Sequence, residues 1–368
     1  MRVAAHNGAR IWGGAERATV VLLRGLKDRG HEVLLFCNDN LVAEKAEEQG
    51  IPARICSIGG DLAVHHSFRL ATALRAFTPD VFIVGTYKKL FFATLAAHLA
   101  GVPNTIARVG LESDIPRSFK YRIALRKWTD TVVVNARRMI EPFANLEGVG
   151  PKNVLLIHNG VRLSEPANDG SRLREKLGIP QGSVVIGTVA RLAQQKRIDR
   201  LLEATALLPG RFHLLIAGDG ELRQELEALS QSLGVAERVR FLGQRDDVNA
   251  VLATIDIFVV TSDKEGLSNA MLEALANGIP VISTDVSGAR EALESDETED
   301  AAGMIADFTP RSIATALTTL ADDPALLEEM RGSARRRAEN RFSLDTMLDK
   351  WEAVLGAAAN SDAGAPRK

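Results

Sequence analysis

Short runs of β-branched and other apolar residues alternate with stretches of helical period along most of the chain. In the first half the runs are Arg2–Ala5, Val33–Phe36, Ala53–Ile55, Val81–Val84, Asn104–Ala107, Thr131–Val134 and Val154–Ile157. Helical periodicity fills Ala15–Arg29, Ser67–Phe77 and Leu90–Ala100 between them. Gly30 follows the first of these stretches and Gly101-Val102-Pro103 the third, residues that stop helices. The second half keeps the rhythm, with strands predicted at Val184–Val189, His213–Ala217, Val239–Leu242, Ile257–Thr261 and Val281–Thr284. Strand–helix alternation predicts parallel sheets covered by helices on both faces. Two such series predict an α/β protein of two Rossmann-like, doubly wound domains.

The break between them falls in the polar, Gly- and Pro-containing stretch Arg162–Ser171. The reading is a first domain over 1–163 and a second over 170–340. A helix over Leu344–Leu355 follows, and the small polar residues from Ala358 onward read as a tail without fixed structure. A length of 368 residues agrees, since a single core stops growing near ~250–300.

Composition adds two things. With 46% hydrophobic and 25% charged residues, a disordered chain is excluded. The net charge of −2 conceals an asymmetry: residues 1–163 hold 22 Lys and Arg against 14 Asp and Glu, and the rest hold 23 against 33. A basic half of net +8 is joined to an acidic half of net −10, which points to an anionic partner for the first half.

Cys37 and Cys56 form no Cys-x-x-Cys pair and no metal-ligand spacing, as expected in a reducing compartment. The first residues lack a signal peptide's apolar core. The longest apolar stretch, Leu90–Pro103, is broken by His98 and too short to span ~30 Å of hydrocarbon. These features predict a cytoplasmic protein, with any membrane contact peripheral on the inner face. His98 itself reads as a satisfied core residue.

Several common chemistries are absent. No Gly-x-Gly-x-x-Gly follows a strand, and Gly218-Asp219-Gly220 is too short a match. No Gly-Lys dipeptide exists for a phosphate loop of the NTPase kind, and no Gly-x-Ser-x-Gly elbow occurs. No Asp-x-Asp is present to hold a sugar nucleotide through a metal.

What remains suits a diphosphate bound without metal. The strand Ile257–Thr261 leads through a polar loop to a helix starting near Ser268, whose open amides make an anion site. Glu265 precedes that helix and Glu273 lies in its second turn. Both can point into one crevice, where carboxylates are strong acceptors for sugar hydroxyls. Arg191 and Lys196 follow the strand Val184–Val189, at the end where doubly wound domains place ligands. Near the start, Gly13-Gly14 precedes a helix and allows close backbone approach.

With these residues the chain resembles the family 4 glycosyltransferases over nearly its whole length. The resemblance rests on Gly13-Gly14-Ala15-Glu16, Asn159-Gly160-Val161, Arg191 with Lys196, Gly218-Asp219-Gly220, Phe241-Leu242-Gly243, and Glu265 with Glu273. It implies the GT-B fold, two domains facing across a cleft, and transfer of a sugar from a nucleotide donor with retention. By resemblance Arg191 and Lys196 hold the donor diphosphate and steady the leaving group, and Glu265 binds the transferred sugar. Those three are the implied catalytic residues, and Glu273 is the implied ribose ligand. Gly13, Gly14, Gly218, Leu242, Gly243, Leu267, Ser268 and Asn269 complete the implied donor site. The resemblance also implies that a helix over 343–357, carrying Trp351, packs back on the first domain. No cofactor or metal is expected, the nucleotide sugar being a substrate linked through UDP or GDP.

One departure concerns the segment Ala107-Arg108-Val109-Gly110-Leu111-Glu112, where Val109 stands at the place of a histidine found in many relatives. Either Arg108 or Glu112 then contributes to the site, or no side chain is needed there. The basic segment Arg117–Trp128 has five cations and no acid, with Phe119, Ile123 and Trp128 as a possible apolar side. Lys120, Arg126 and Lys127 are its candidate contacts to an anionic membrane surface or a phosphorylated acceptor. The expected acceptor is a glycan or lipid-linked glycan of bacterial surface polysaccharide, such as lipopolysaccharide; nucleic acid is not expected. The alternatives are a sugar-nucleotide epimerase on the same fold and a non-catalytic sugar-nucleotide binder.

Overall fold

The computed structural model describes residues 1–59, 64–111, 118–146, 153–163 and 170–361. The chain divides into two compact units, one of Met1–Asn159 with the chain from Asp345 onward, the other of Gly160–Leu344. The expected linker lies largely outside the described residues, as do Glu112 and Arg117.

The first unit holds a seven-stranded parallel sheet: β1 (Arg2–Asn7), β2 (Glu32–Cys37), β3 (Ala53–Ile55), β4 (Val81–Val84), β5 (Asn104–Val109), β6 (Thr131–Val134) and β7 (Val154–Leu156). Their order is β3-β2-β1-β4-β5-β6-β7. The chain runs outward from β1 to β3, then returns to the other side of β1 at β4. The carboxyl ends of β1 and β4 therefore flank the switch point, where doubly wound sheets leave a crevice.

The second unit holds a six-stranded parallel sheet: β8 (Val184–Val189), β9 (Phe212–Ala217), β10 (Val239–Gly243), β11 (Ile257–Val260), β12 (Val281–Thr284) and β13 (Gly303–Ala306). The order β10-β9-β8-β11-β12-β13 puts its switch point between β8 and β11. Successive residues of a strand face opposite sides of a sheet. Val185 of β8 and Phe258 and Val260 of β11 accordingly enter one core, while Ile186, Ile257 and Val259 enter the other. Each fully buried side chain of this size stabilises the fold by about 1.5–3 kcal/mol. Strands buried on both faces explain the unbroken apolar runs.

Four differences from the sequence reading have physical causes. The short strand β13 was not expected: Gly303-Met304-Ile305-Ala306 carries one β-branched residue and pairs only with β12, at the sheet edge. His98 is exposed rather than core, stacked on Trp128 with ring centroids 6.0 Å apart. Trp128 is drawn inward, against Phe91, because Ala124 and Leu125 form the buried face of the helix Phe119–Lys127. It therefore does not share an exposed apolar side with Phe119, which is 76% exposed.

The last helix runs Leu344–Ser361, past the expected tail boundary at Ala358, because Ala357, Ala358 and Ala359 are strong helix formers. Asn104 Nδ2 donates to Ala358 O at 3.2 Å. Within the first unit, Arg29 pairs with Asp349 at 2.6 Å and Glu352 at 2.7 Å on this helix, and Trp351 is fully buried. Gly25 makes room for it: a Cβ there would lie 2.5 Å from Leu348 Cδ1. Among the described residues no helix is long and apolar enough to cross a membrane.

Candidate active site

The two loops leaving the second unit's switch point carry most of the residues marked in the sequence. After β8 the chain passes Arg191, makes one 3₁₀ turn at Gln194–Lys196 and enters the helix Ile198–Leu207. After β11 a loop leads to the helix Asn269–Ala276, capped by Ser268, whose hydroxyl accepts from Met271 N at 3.5 Å.

Side chains and backbone join these loops. Lys196 Nζ donates to Glu265 Oε1, and Ser262 Oγ donates to the same oxygen at 2.9 Å. Thr261 Oγ1 donates to Lys196 O at 2.9 Å, and Gln195 Nε2 to Lys264 O at 2.6 Å. The Glu265 loop is also held from β12: Thr284 Oγ1 donates to Ser262 O at 2.7 Å, and Gly288 N to Gly266 O at 2.9 Å. That last contact requires glycine, since a Cβ at position 288 would fall 2.7 Å from Gly266 O.

A narrow crevice is lined by Thr188, Lys196, Ser262, Glu265 and Ser268, among others. It brings a cation, a buried carboxylate and a helix N-terminus together. Leu267 is buried beneath the loop and Asn269 opens the helix, half-buried. Glu273 is half-buried in the second turn, outside the crevice lining. Arg191 is exposed and makes no ion pair among the described residues. Beside it, Gly218 takes φ 131°, and a Cβ there would lie 1.9 Å from Ala190 O. Gly218 N donates to Gly243 O at 2.7 Å, so the ends of β8, β9 and β10, with half-buried Leu242, meet at one edge.

A second group of residues positions this site and carries no motif. Arg197, in left-handed backbone with φ 50°, pairs with Asp199 at 2.9 Å and Asp263 at 3.2 Å. Buried Arg200 pairs with Asp263 at 2.8 Å and donates to Thr261 O at 2.7 Å. Burial alone would raise the Asp263 pKa, but hydrogen bonds from Arg200 and Arg197 outweigh it and hold the carboxyl below its usual range.

In the first unit, Gly13 caps the helix Gly14–Asp28, and its N–H donates to Glu16 Oε2 at 3.0 Å. Its extended backbone is open to any residue, so its missing side chain serves space rather than φ. Val109 lies in the core, 2% exposed, while Arg108 points to the opposite face of β5. Arg126 and Lys127 are exposed, and Lys120 Nζ lies 5.2 Å from the Tyr121 ring centroid.

Two doubly wound units, the second with a cation, a buried carboxylate and a helix N-terminus at its switch point, define the class as a GT-B glycosyltransferase. The model for Glycosyl transferases group 1 matches residues 169–338, and that for Glycosyltransferase Family 4 matches residues 12–165. The chain belongs to glycosyltransferase family 4.

The lipopolysaccharide core biosynthesis glycosyltransferase LpsE of Rhizobium meliloti (strain 1021) is 33% identical over 185 residues, 50% of this chain and 53% of that one. LpsD of the same organism, a lipopolysaccharide core biosynthesis glycosyltransferase, is 27% identical over 92% of this chain and 94% of its own. The structure of Anabaena HepE in complex with UDP-glucose superposes with a TM-score of 0.84, at 22% identity, over 97% of this chain and all of that one.

Proposed function

We propose that this enzyme is a retaining glycosyltransferase that moves a sugar from a nucleotide-sugar donor to a glycan or lipid-linked acceptor in bacterial surface polysaccharide synthesis. The observation that carries it is the crevice at β8 and β11, where Lys196, Glu265 and the Ser268 helix end converge. Arg191 and Lys196 supply the positive charge for the donor diphosphate in place of a metal. Amides beyond Ser268 add hydrogen bonds that strengthen as the leaving group gains charge. Glu265 accepts from hydroxyls of the transferred sugar, and Glu273 from the ribose. Gly13 and Gly14 leave room beside a second helix end. UDP is the leading donor nucleotide, because the HepE structure holds UDP-glucose and its fold spans this chain. The exposed cations Arg126 and Lys127, beside exposed Phe119, suit an anionic membrane surface that carries the acceptor.

A panel of UDP-, GDP- and ADP-sugars tests this reading. Binding of one donor raises the unfolding temperature by mass action. Incubation of that donor with truncated lipopolysaccharide core yields a radiolabelled product in which the anomeric configuration is retained. Isomerised donor with no acceptor product favours an epimerase, and binding without turnover favours a non-catalytic protein.

A further inference from the structure

Arg108 sits near the carboxyl end of β5, and its guanidinium reaches across the edge of the first sheet. One nitrogen donates to Asn159 Oδ1 at 3.0 Å, after β7, and another to Thr19 Oγ1 at 3.4 Å, on the helix that follows β1. Both partners are neutral, and both are buried. No carboxylate pairs with Arg108 among the described residues. The buried arginines of the second unit differ: Arg200 pairs with Asp263 at 2.8 Å and Arg337 with Glu299 at 3.0 Å. A guanidinium has five donors, and among the described residues only these two side-chain contacts engage Arg108.

Even a half-buried charge is costly where no counter-charge stands beside it. Burial indeed pushes the Arg108 pKa down to about 10. Yet the residue keeps part of its surface open, so an external anion can reach it. Nearby strand ends offer further unsatisfied groups: Asn7 Nδ2 at the end of β1 and Asn135 Oδ1 after β6 are buried with no hydrogen-bond partner among the described residues. All lie on the carboxyl edge of a doubly wound sheet, the edge that takes ligands. The first half of the chain also carries the net charge of +8.

We infer that Arg108 is the anchor of a second anion subsite, which binds the phosphate or carboxylate of an anionic acceptor. Naming the ligand as the acceptor rests on the glycosyltransferase reading; the presence of the subsite does not. The bound oxyanion supplies the counter-charge that the described residues do not, and fixes the register of the acceptor on the first unit.

The test uses the full chain with Arg191→Ala and Lys196→Ala, so that the donor anion site is disabled. Thermal unfolding is followed with inorganic phosphate and, separately, with glucuronate. At least one raises the unfolding temperature, and adding Arg108→Met weakens the apparent affinity tenfold or more. A response to phosphate identifies a phosphorylated acceptor, and a response to glucuronate a uronic acid. Arg108→Met alone, without added anion, unfolds within about 2 °C of the parent or above it, because it removes an uncompensated charge. A response to either anion that survives Arg108→Met overturns the inference, as does no response to both. Failure of both Arg108→Met and Arg108→Lys to fold also overturns it, since the arginine would then serve the sheet. Anion binding through Arg108 in a protein that turns over no donor would sink the enzyme reading while leaving this subsite in place.

Discussion

Lys196 donates a hydrogen bond to Glu265 across the seam between β8 and β11, joining residues 69 positions apart in sequence. The pair couples the two loops that leave the switch point. Its members differ in burial: the Lys196 side chain is 25% exposed and that of Glu265 10%. Among the described residues, removing the lysine leaves the more buried charge with Ser262 as its one side-chain partner, whereas removing the glutamate leaves a cation that can turn to water. Lys196→Met should therefore lower stability by about 1–3 kcal/mol, and Glu265→Gln by less. The double variant should recover part of the sum, which a urea-unfolding double-mutant cycle measures. Both single variants should cut sugar transfer by about 100-fold or more, the scale of a lost charge-stabilising contact. Wild-type transfer in either would remove that residue from the site.

Gly218 carries a different burden. Its φ of 131° and the Ala190 carbonyl, 1.9 Å from where a Cβ would stand, both forbid a side chain. Gly218→Ala must push apart the ends of β8 and β9. It should cost more than about 1 kcal/mol and weaken donor binding by moving Arg191, the next residue after Ala190. Gly243, with φ 67° but only Arg223 Nη1 within reach at 3.3 Å, should tolerate alanine better. Thermal unfolding of the two variants ranks them, and equal losses would contradict the steric account.

These contrasts bear on what could be read from the chain. Val81–Val84, Thr131–Val134 and Val184–Val189 were legible to the residue because strands buried on both faces write continuous apolar runs. The loop around Glu265 was legible through its spacing to the helix cap. The Arg200–Asp263 pair was not, because a contact between residues 63 apart leaves no local pattern, and Asp263 reads as one more exposed loop acid. Arg197 in left-handed backbone was likewise hidden, since arginine carries no signal for that conformation. Arg108 was visible only beside a departure at Val109, and its half-buried place without a carboxylate among the described residues needed the fold.

Asp263 should prove a positioning residue. Its carboxylate holds Arg197 and Arg200 on one side of the loop while Glu265, two residues on, faces the crevice. Asp263→Asn removes the charge and keeps the shape. We expect a tenfold or greater fall in kcat/KM as Glu265 loses its fixed place, with the fold retained. The carboxyl is held below its usual range, so the pair's contribution is present above about pH 4 and is lost as pH falls through the lowered value. An Asp263→Asn enzyme with unchanged kcat/KM would show that the loop is held by its backbone contacts alone.

His6 should set the acid limit of the first unit. It lies on β1 with no exposed surface, and burial lowers its pKa to about 4, with Lys89 adding a smaller push the same way. The folded protein therefore keeps His6 neutral where the unfolded chain, with an ordinary value of 6.5, has already taken up a proton. Unfolding gains protons in that window, so stability is full above pH 6.5 and falls as pH drops toward 4. A displacement of this size corresponds to roughly 3 kcal/mol at the acid end. His6→Phe keeps a flat ring, titrates nothing and leaves no nitrogen unpartnered, so its urea midpoint should decline much less between pH 7 and pH 4.5. The variant should match or exceed the wild type at pH 4.5 whatever its standing at pH 7. Parallel declines in the two proteins would assign the acid sensitivity to carboxylates such as Asp296, which its hydrogen bonds from Arg341 and Thr298 hold well below the usual range, rather than to this histidine.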